Sequence, residues 1–441
     1  MDRRHLLSTS GILLAAATPF AWADDKKKPR TKPTPTPTPK PPPVGTAKSR
    51  VIVIGGGMAG VTVAKYLRLW GNNISVTLVE RNTSYVSNIL SSLVLTGQRT
   101  MASLTYNYSK LLSAYGVQVV KGDVVEIDPV GVKVKLADGT VLSADRIVMA
   151  TGIEFDTVPG LGTSNRMPHA WQAGPQTTLL AQQLSAMKPG GTVVLTVPAT
   201  PYRCPPGPYE RACLIGDWLK AKKPGSKLIV LDANADFTAE ADNFRAGFKL
   251  NNIEYVPNAG VVSVSPGTSS AGLMGITTSD GITRQANVVN MIPRQKAGGL
   301  VVKAGLANAT GGRFAGVNHL NYVSTVAGAG KVHIIGDSSA TTQPKAGHIA
   351  NQEAKVCADA IVRSFAGLAP DQAPVTNSAC YSTITMTQAS WLSAVYQYDP
   401  VAKAMAISPA GTPPAASKGW DTDNFKDMNT WFNALMADSF A

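Results

Sequence analysis

The chain has 441 residues and a formal charge of +13, with 44% hydrophobic residues and four cysteines. That composition excludes a disordered chain, which is poor in apolar residues, and a disulfide scaffold, which is dense in cysteine. Residues 1–50 carry +7 of the charge, leaving +6 on the rest, and no motif for nucleic-acid binding accompanies it.

The first 50 residues read as delivery rather than fold. Arg3-Arg4 precede a largely apolar run, Leu6–Ala17, and Ala21-Trp22-Ala23 fits an A-x-A cleavage site. The run is shorter than the roughly 20 apolar residues of a membrane span. Met1–Ala23 is therefore expected to be an export signal of the twin-arginine type, with an ordinary secretory signal as the alternative, and the destination is expected to be periplasmic. Asp24–Arg50, with Pro and Thr alternating from Pro33 to Pro39, is expected to be an extended Pro/Lys-rich linker.

Val51-Ile52-Val53-Ile54 is a β-branched run suited to a buried parallel strand. It runs into Gly55-Gly56-Gly57-Met58-Ala59-Gly60, which reads G-x-G-x-x-G, then a helical stretch to Trp70 and a strand, Ile74–Val79, ending in Glu80. The order predicts a dinucleotide site. Gly55 makes the tight turn, Gly57 admits a pyrophosphate to the backbone, and Gly60 lets the helix pack closely. Glu80 is placed for a ribose hydroxyl.

Beyond Glu80, Leu111–Tyr115 reads as a helix, and short strands follow with Asp138-Gly139 as a hairpin turn. Arg146–Met149 is a buried strand, closed by Ala150-Thr151-Gly152. Such a turn, through Thr151 and Gly152, returns the chain past the cofactor in two-dinucleotide flavoproteins. A second α/β unit begins near Gly191, with strands Thr192–Val197 and Lys227–Leu231 around a helix over Leu214–Lys220. Its intervening loop, Pro198–Arg211, is rich in proline, which has no N–H to offer a phosphate, so it makes a poor NAD(P) site. It reads instead as a mount for Cys204. Near the end, Lys331–Asp337 is a strand finishing in Gly336-Asp337, the turn that meets the ribityl or pyrophosphate region in FAD enzymes, and a helix follows over Gly347–Phe365. No His or Cys spacing fits a metal, and no Cys-x-x-Cys-His is present for a c-type haem.

From Val51 to Ala441 the sequence resembles the flavoprotein subunit of flavocytochrome c sulfide dehydrogenase, a branch of the flavoproteins close to sulfide:quinone oxidoreductases. The segments that carry the resemblance are Tyr202–Ala212, Ile292-Pro293 with Gln295–Gly298, Gly336-Asp337, Cys380-Tyr381-Ser382 and the ending Gly419–Phe440. It implies an α/β fold of two Rossmann-like domains plus a smaller C-terminal α+β domain. The expected division is 51–165 with 287–368 for FAD, 166–286 for a second domain without an NAD(P) fingerprint, and 369–441 for the third.

The resemblance further implies that Cys204 and Cys380 form a redox-active disulfide over FAD, with Glu210, in the same loop as Cys204, moving the proton. Sulfide is the implied substrate and a separate c-type cytochrome subunit the implied acceptor. Relatives often attach FAD through a cysteine where Ser84 stands here, so non-covalent FAD is expected. Cys213 and Cys357 are expected to be buried, inert thiols, His348 at most a pocket-lining residue, and Trp391 and Tyr396 part of the core or pocket wall. The alternatives are a sulfide:quinone oxidoreductase, an electron-transfer accessory flavoprotein, and an NAD(P)H-dependent reductase.

Overall fold

The computed structural model describes residues 48–71, 73–267, 272–408 and 415–441. The expected export signal and nearly all of the linker lie outside the described residues.

β1 (Ser49–Ile54) leads through Gly55–Gly57 into α1 (Met58–Trp70), followed by β2 (Ile74–Glu80), β3 (Gln118–Lys121) and β4 (Arg146–Met149). The strand thus takes up Ser49 and Arg50, which the sequence assigns to the linker. β5 (Thr192–Val197) is followed by α2 (Gly207–Lys222), β6 (Lys227–Asp232), α3 (Ala241–Leu250), β7 (Ile253–Val256) and β8 (Val288–Asn290). β9 (Val332–Ile334) precedes α4 (Gly347–Phe365). The last elements are β10 (Val375–Thr383), β11 (Ala389–Asp399), β12 (Ala404–Ile407) and α5 (Thr422–Phe440).

Three sheets carry the site. The first is wholly parallel in the order β9-β4-β1-β2-β3, and the second, β7-β6-β5-β8, is parallel too. The third, β10-β11-β12, is antiparallel. Val51–Ile54 are all buried, as a strand covered on both faces requires. In the first sheet Ile54 pairs with both Val79 and Met149, and Ile334 pairs with Met149. The carboxyl ends of these strands are therefore level, and Gly55, Glu80, Ala150 and Ile335 emerge along one edge. The chain direction of the sheet reverses beside β1, so this edge is the topological switch point where open α/β sheets take their ligands.

α2 starts at Gly207, seven residues earlier than the sequence suggests. Pro206 caps it and Pro208 lies in its first turn, where a missing N–H costs nothing and the fixed φ already suits the helix. Glu210 is consequently in the first helical turn and not in the loop. The antiparallel sheet packs on α2, α4 and α5. At the end of α5, Phe440 stacks on Tyr85 at 5.1 Å and 15°. Lys65 of α1 donates to the carbonyls of Asp438 and Ala441 at 2.9 and 2.7 Å, and the Tyr66 hydroxyl donates to the Asp438 carboxylate at 2.6 Å.

Candidate active site

A cavity of about 1080 Å³ opens along the switch-point edge. It lies at the upper end of the roughly 300–1,000 Å³ usual for ligand clefts. Gly55, Gly57, Glu80, Thr151, Gly152, Gly336 and Asp337 line it, as do Cys204, Glu210 and Cys380 from the other two sheets. Gly60 does not line it; a Cβ there would lie 1.8 Å from the Gly55 carbonyl oxygen, so its bareness brings helix and strand together. Gly55 has φ +100, and a Cβ on it would meet the Ala150 oxygen at 2.5 Å. α1 begins at Gly57 with no side-chain cap and no acid in its first turn, leaving N–H groups and a partial positive charge for an anion. The Glu80 carboxylate accepts from Gly56 N–H at 2.7 Å and from Asn82 N–H at 2.8 Å, so it is held in one place across the turn. Thr151 and Ser338 hydroxyls lie 3.1 Å apart, joining the two further turns.

The opposite wall is built on the loop before α2. Cys204 has a left-handed backbone, φ +59, at a cost of about 1 kcal/mol for a residue with a Cβ. Its N–H donates to the Lys345 carbonyl at 2.6 Å, and the Arg203 N–H donates to Gln295 Oε1 at 2.8 Å. These bonds tie the loop to the segment preceding α4 and to the short strand Gln295–Ala297. A Cβ on Gly207 would lie 2.8 Å from the Cys204 sulfur and 2.9 Å from the Trp171 ring, so that glycine makes room for the thiol. Cys380 comes from β10. Both cysteines are half-buried free thiols in the structure, so the expected disulfide is not formed in it. Cys213 and Cys357 are fully buried in α2 and α4.

Burial shapes the charges. It pushes the Cys204 thiol well up, with the neighbouring Cys380 and Glu210 adding to the effect. Burial lifts Glu210 to about 7, opposed by a hydrogen bond from the Thr383 hydroxyl at 3.2 Å and by the adjacent Arg211. Glu210 is thereby poised to change charge near neutral pH. Burial drives His169 and His348 down to about 4, so both are neutral at pH 7. Asp337 is raised by burial, while Arg203, 3.9 Å away, and Lys345 favour its charge.

Three family models match the chain. The sulfide dehydrogenase (flavocytochrome c) flavoprotein chain, central model covers residues 177–293, and the flavocytochrome c sulphide dehydrogenase, flavin-binding model covers 372–440. A pyridine nucleotide-disulphide oxidoreductase model covers 49–181. Over 45 residues, 10% of this chain, it is 51% identical to the sulfide dehydrogenase (flavocytochrome c) flavoprotein chain of Chlorobaculum thiosulfatiphilum, spanning 94% of that sequence. The chain belongs to the flavocytochrome c sulfide dehydrogenase flavoprotein family.

Other curated relatives of this family member match over about a quarter to two fifths of their length. One is an apoptosis-inducing factor homolog A from Dictyostelium discoideum, 37% identical over 105 residues and 24% of each chain. Its fold is that of the sulfide:quinone oxidoreductase of Aquifex aeolicus, with a TM-score of 0.72, 17% identity, and coverage of 89% of this chain and 91% of that one. Its cofactor is FAD, and the cavity fits that group. On the wall that carries Cys204, two donors of lining residues, Trp171 Nε1 and Arg203 Nη2, are buried with no hydrogen-bond acceptor. Buried donors of this kind are costly unless something accepts from them.

Several residues around this flavoprotein's cavity escape sequence reasoning. Arg203 is ion-paired with Asp337, and Arg211, fully buried, donates to Ser92, Asn290 and the carbonyls of His169 and Ala170. The local sequence around each arginine carries no sign of these distant partners. His348 lines the cavity, as do Tyr381 and Trp431, whereas Trp391 and Tyr396 sit half-buried on β11 away from its lining. Trp391 pairs with Tyr381, one rung from Cys380, and Tyr396 pairs with Thr376, four rungs along the other way.

Proposed function

We propose that this chain is the flavoprotein subunit of a periplasmic sulfide dehydrogenase, oxidising sulfide through Cys204 and Cys380 and passing the electrons by way of FAD to a c-type cytochrome subunit. The observation that carries the reading is that both cysteines and Glu210, brought by the loop before α2, by α2 and by β10, line the FAD cavity together. The cytochrome partner rests on the matched family's name, and export rests on Met1–Ala23. Among the described residues no helix is long and apolar enough to cross a membrane.

FAD, when bound, supplies a two-electron acceptor for re-forming the cysteine bridge. The protein's own residues handle the sulfur and the proton. Hydrosulfide attacks one sulfur of the Cys204–Cys380 bridge, forming a new S–S bond and breaking the old one, so that one cysteine becomes a persulfide and the other a thiolate. Glu210, ionised above about pH 7, accepts the proton released. A second hydrosulfide takes the outer sulfur as hydrodisulfide and leaves two reduced cysteines. Two hydrosulfides thus yield one hydrodisulfide, one proton and two electrons. Gly55, Gly57, Glu80, Thr151, Gly152, Gly336 and Asp337 hold the cofactor, Gly60 serves by letting α1 pack on β1, and with Ser84 in place of a cysteine the cofactor is held without a covalent bond.

Anaerobic titration of the FAD-loaded protein with sulfide, followed at the flavin bands, tests the reading. Wild type bleaches and Cys380→Ser does not; bleaching in neither removes sulfide as the substrate. Oxidation of the bleached protein by cytochrome c, compared with a short-chain quinone, separates the cytochrome-linked enzyme from a sulfide:quinone oxidoreductase. Acid precipitation releases all the flavin if the attachment is non-covalent.

A further inference from the structure

Glu240 has no role in the reaction so far described, yet its setting is unusual for a surface acid. It precedes α3 with a left-handed backbone, φ +48, which a residue with a Cβ adopts only when its surroundings impose it. Its side chain turns back against the antiparallel sheet. Oε1 accepts from the Ser382 hydroxyl at 2.7 Å and Oε2 from the Ser390 hydroxyl at 2.6 Å. Ser382 and Ser390 face each other as one rung of β10 and β11. Cys380 is opposite Leu392 on the same side of the sheet, two residues along, so its rung is about 7 Å from the one that Glu240 grips. Among the described residues no lysine, arginine or histidine forms an ion pair with Glu240.

We propose that Glu240 is a positioning residue for Cys380, acting through the Ser382–Ser390 rung: its charge decides when that cysteine can become the thiolate that re-forming the bridge requires. This rests on the sulfide reading above, which gives Cys380 its role. A carboxylate bonded to the neighbouring like-facing rung of a half-buried sheet opposes a second negative charge strongly enough to change thiolate populations about tenfold or more. The site's charges agree. Burial and then the Glu240 charge push the Cys380 thiol up to about 12, with Glu210 a smaller contributor. Glu240 is itself raised by burial, against the bonds from Ser390, Ser382 and Asn243.

The other titratable groups around the pair are Glu210 and Cys213 on α2, Cys204 and Arg203 before it, Tyr396 on β11, and His348 on α4, whose Nδ1 accepts from Ala379 N–H. Asp242 follows on α3 itself. Among the acids, Glu240 stands on the rung next to Cys380.

The test is the pH profile of Cys380 alkylation by iodoacetamide in the reduced full-length protein, read by peptide mass spectrometry. Glu240→Gln keeps a side chain that can bond both serines and removes the charge. It is expected to alkylate at Cys380 about tenfold faster at pH 8, with the profile displaced to lower pH. An unchanged Cys380 profile overturns the proposal and reduces Glu240 to a staple between α3 and the sheet. If that variant does not fold, Ser390→Ala loosens one carboxylate oxygen, and a smaller displacement of the same sign is expected; no displacement there overturns the proposal equally. Because no sulfide enters the assay, failure of the sulfide reading shows only in the flavin titration.

Discussion

Two strand–loop–helix units of the same handedness do different chemistry here. β1 and α1 are joined by Gly55–Gly57, bare residues whose backbone sits against Ala150 and leaves N–H groups facing the cavity. β5 and α2 are joined by Pro198–Pro206, which offers few donors and raises Cys204 on a left-handed residue instead. The acids after the second strand differ as well. Glu80 lines the cavity, while Asp232 is fully buried and accepts from the hydroxyls of Tyr209 at 2.6 Å and Tyr255 at 2.9 Å. A parallel crossover is thus a mount, and the loop decides whether it turns backbone donors or a thiol towards the cavity.

The contrast is sharpest at the thiols. Cys204→Ser is expected to abolish sulfide-driven flavin bleaching while leaving the bound flavin spectrum near normal; residual bleaching at more than a few per cent of the wild-type rate would break the assignment of sulfur chemistry to the second loop. Next in size, Glu210→Gln should slow that bleaching on the order of 10²-fold, as loss of a general base does. Since Glu210 is the base only when ionised, the wild-type rate, corrected for the hydrosulfide fraction, should rise with pH through about 7, and the variant should lose that rise. The same shift has a stability sign. Burial favours the neutral carboxyl, so its contribution is full below the ordinary glutamate range and is lost as pH passes about 7. Apoprotein melting temperatures should therefore fall less with rising pH in the variant than in wild type.

The phosphate side has its own pair of tests. Gly60→Ala meets backbone at 1.8 Å and should destabilise even the apoprotein by about 1–3 kcal/mol or more. Gly57→Ala meets only the Tyr85 ring at 4.0 Å, so the apoprotein melts as before and FAD binds more weakly; equal melting losses in both variants would contradict the separate roles of the two glycines. The smallest expected signal is with NADH, which should give no stoichiometric flavin bleaching. Full bleaching would show that the second unit takes a nucleotide despite its prolines.

The comparison also explains what could be read in advance. The first unit was legible because its parts are adjacent in sequence and each glycine has a steric reason. The start of α2 was misplaced because its prolines look like breakers, though they suit a first turn. Arg203, Arg211 and Glu240 were overlooked for another reason. Their partners, Asp337, Asn290 and Ser382, come from different sheets, and no local pattern announces a pairing that only the packing creates.

α5 gives the cavity Trp431 and braces Tyr85 through Phe440, while α1, which opens the phosphate site, holds its end through Lys65 and Tyr66. The residues translated early and those translated late therefore share one job. A nascent chain can form the glycine turn long before the wall opposite it exists, so firm retention of the cofactor has to wait for the final helix. Cofactor loading then marks a chain that has been made through α5.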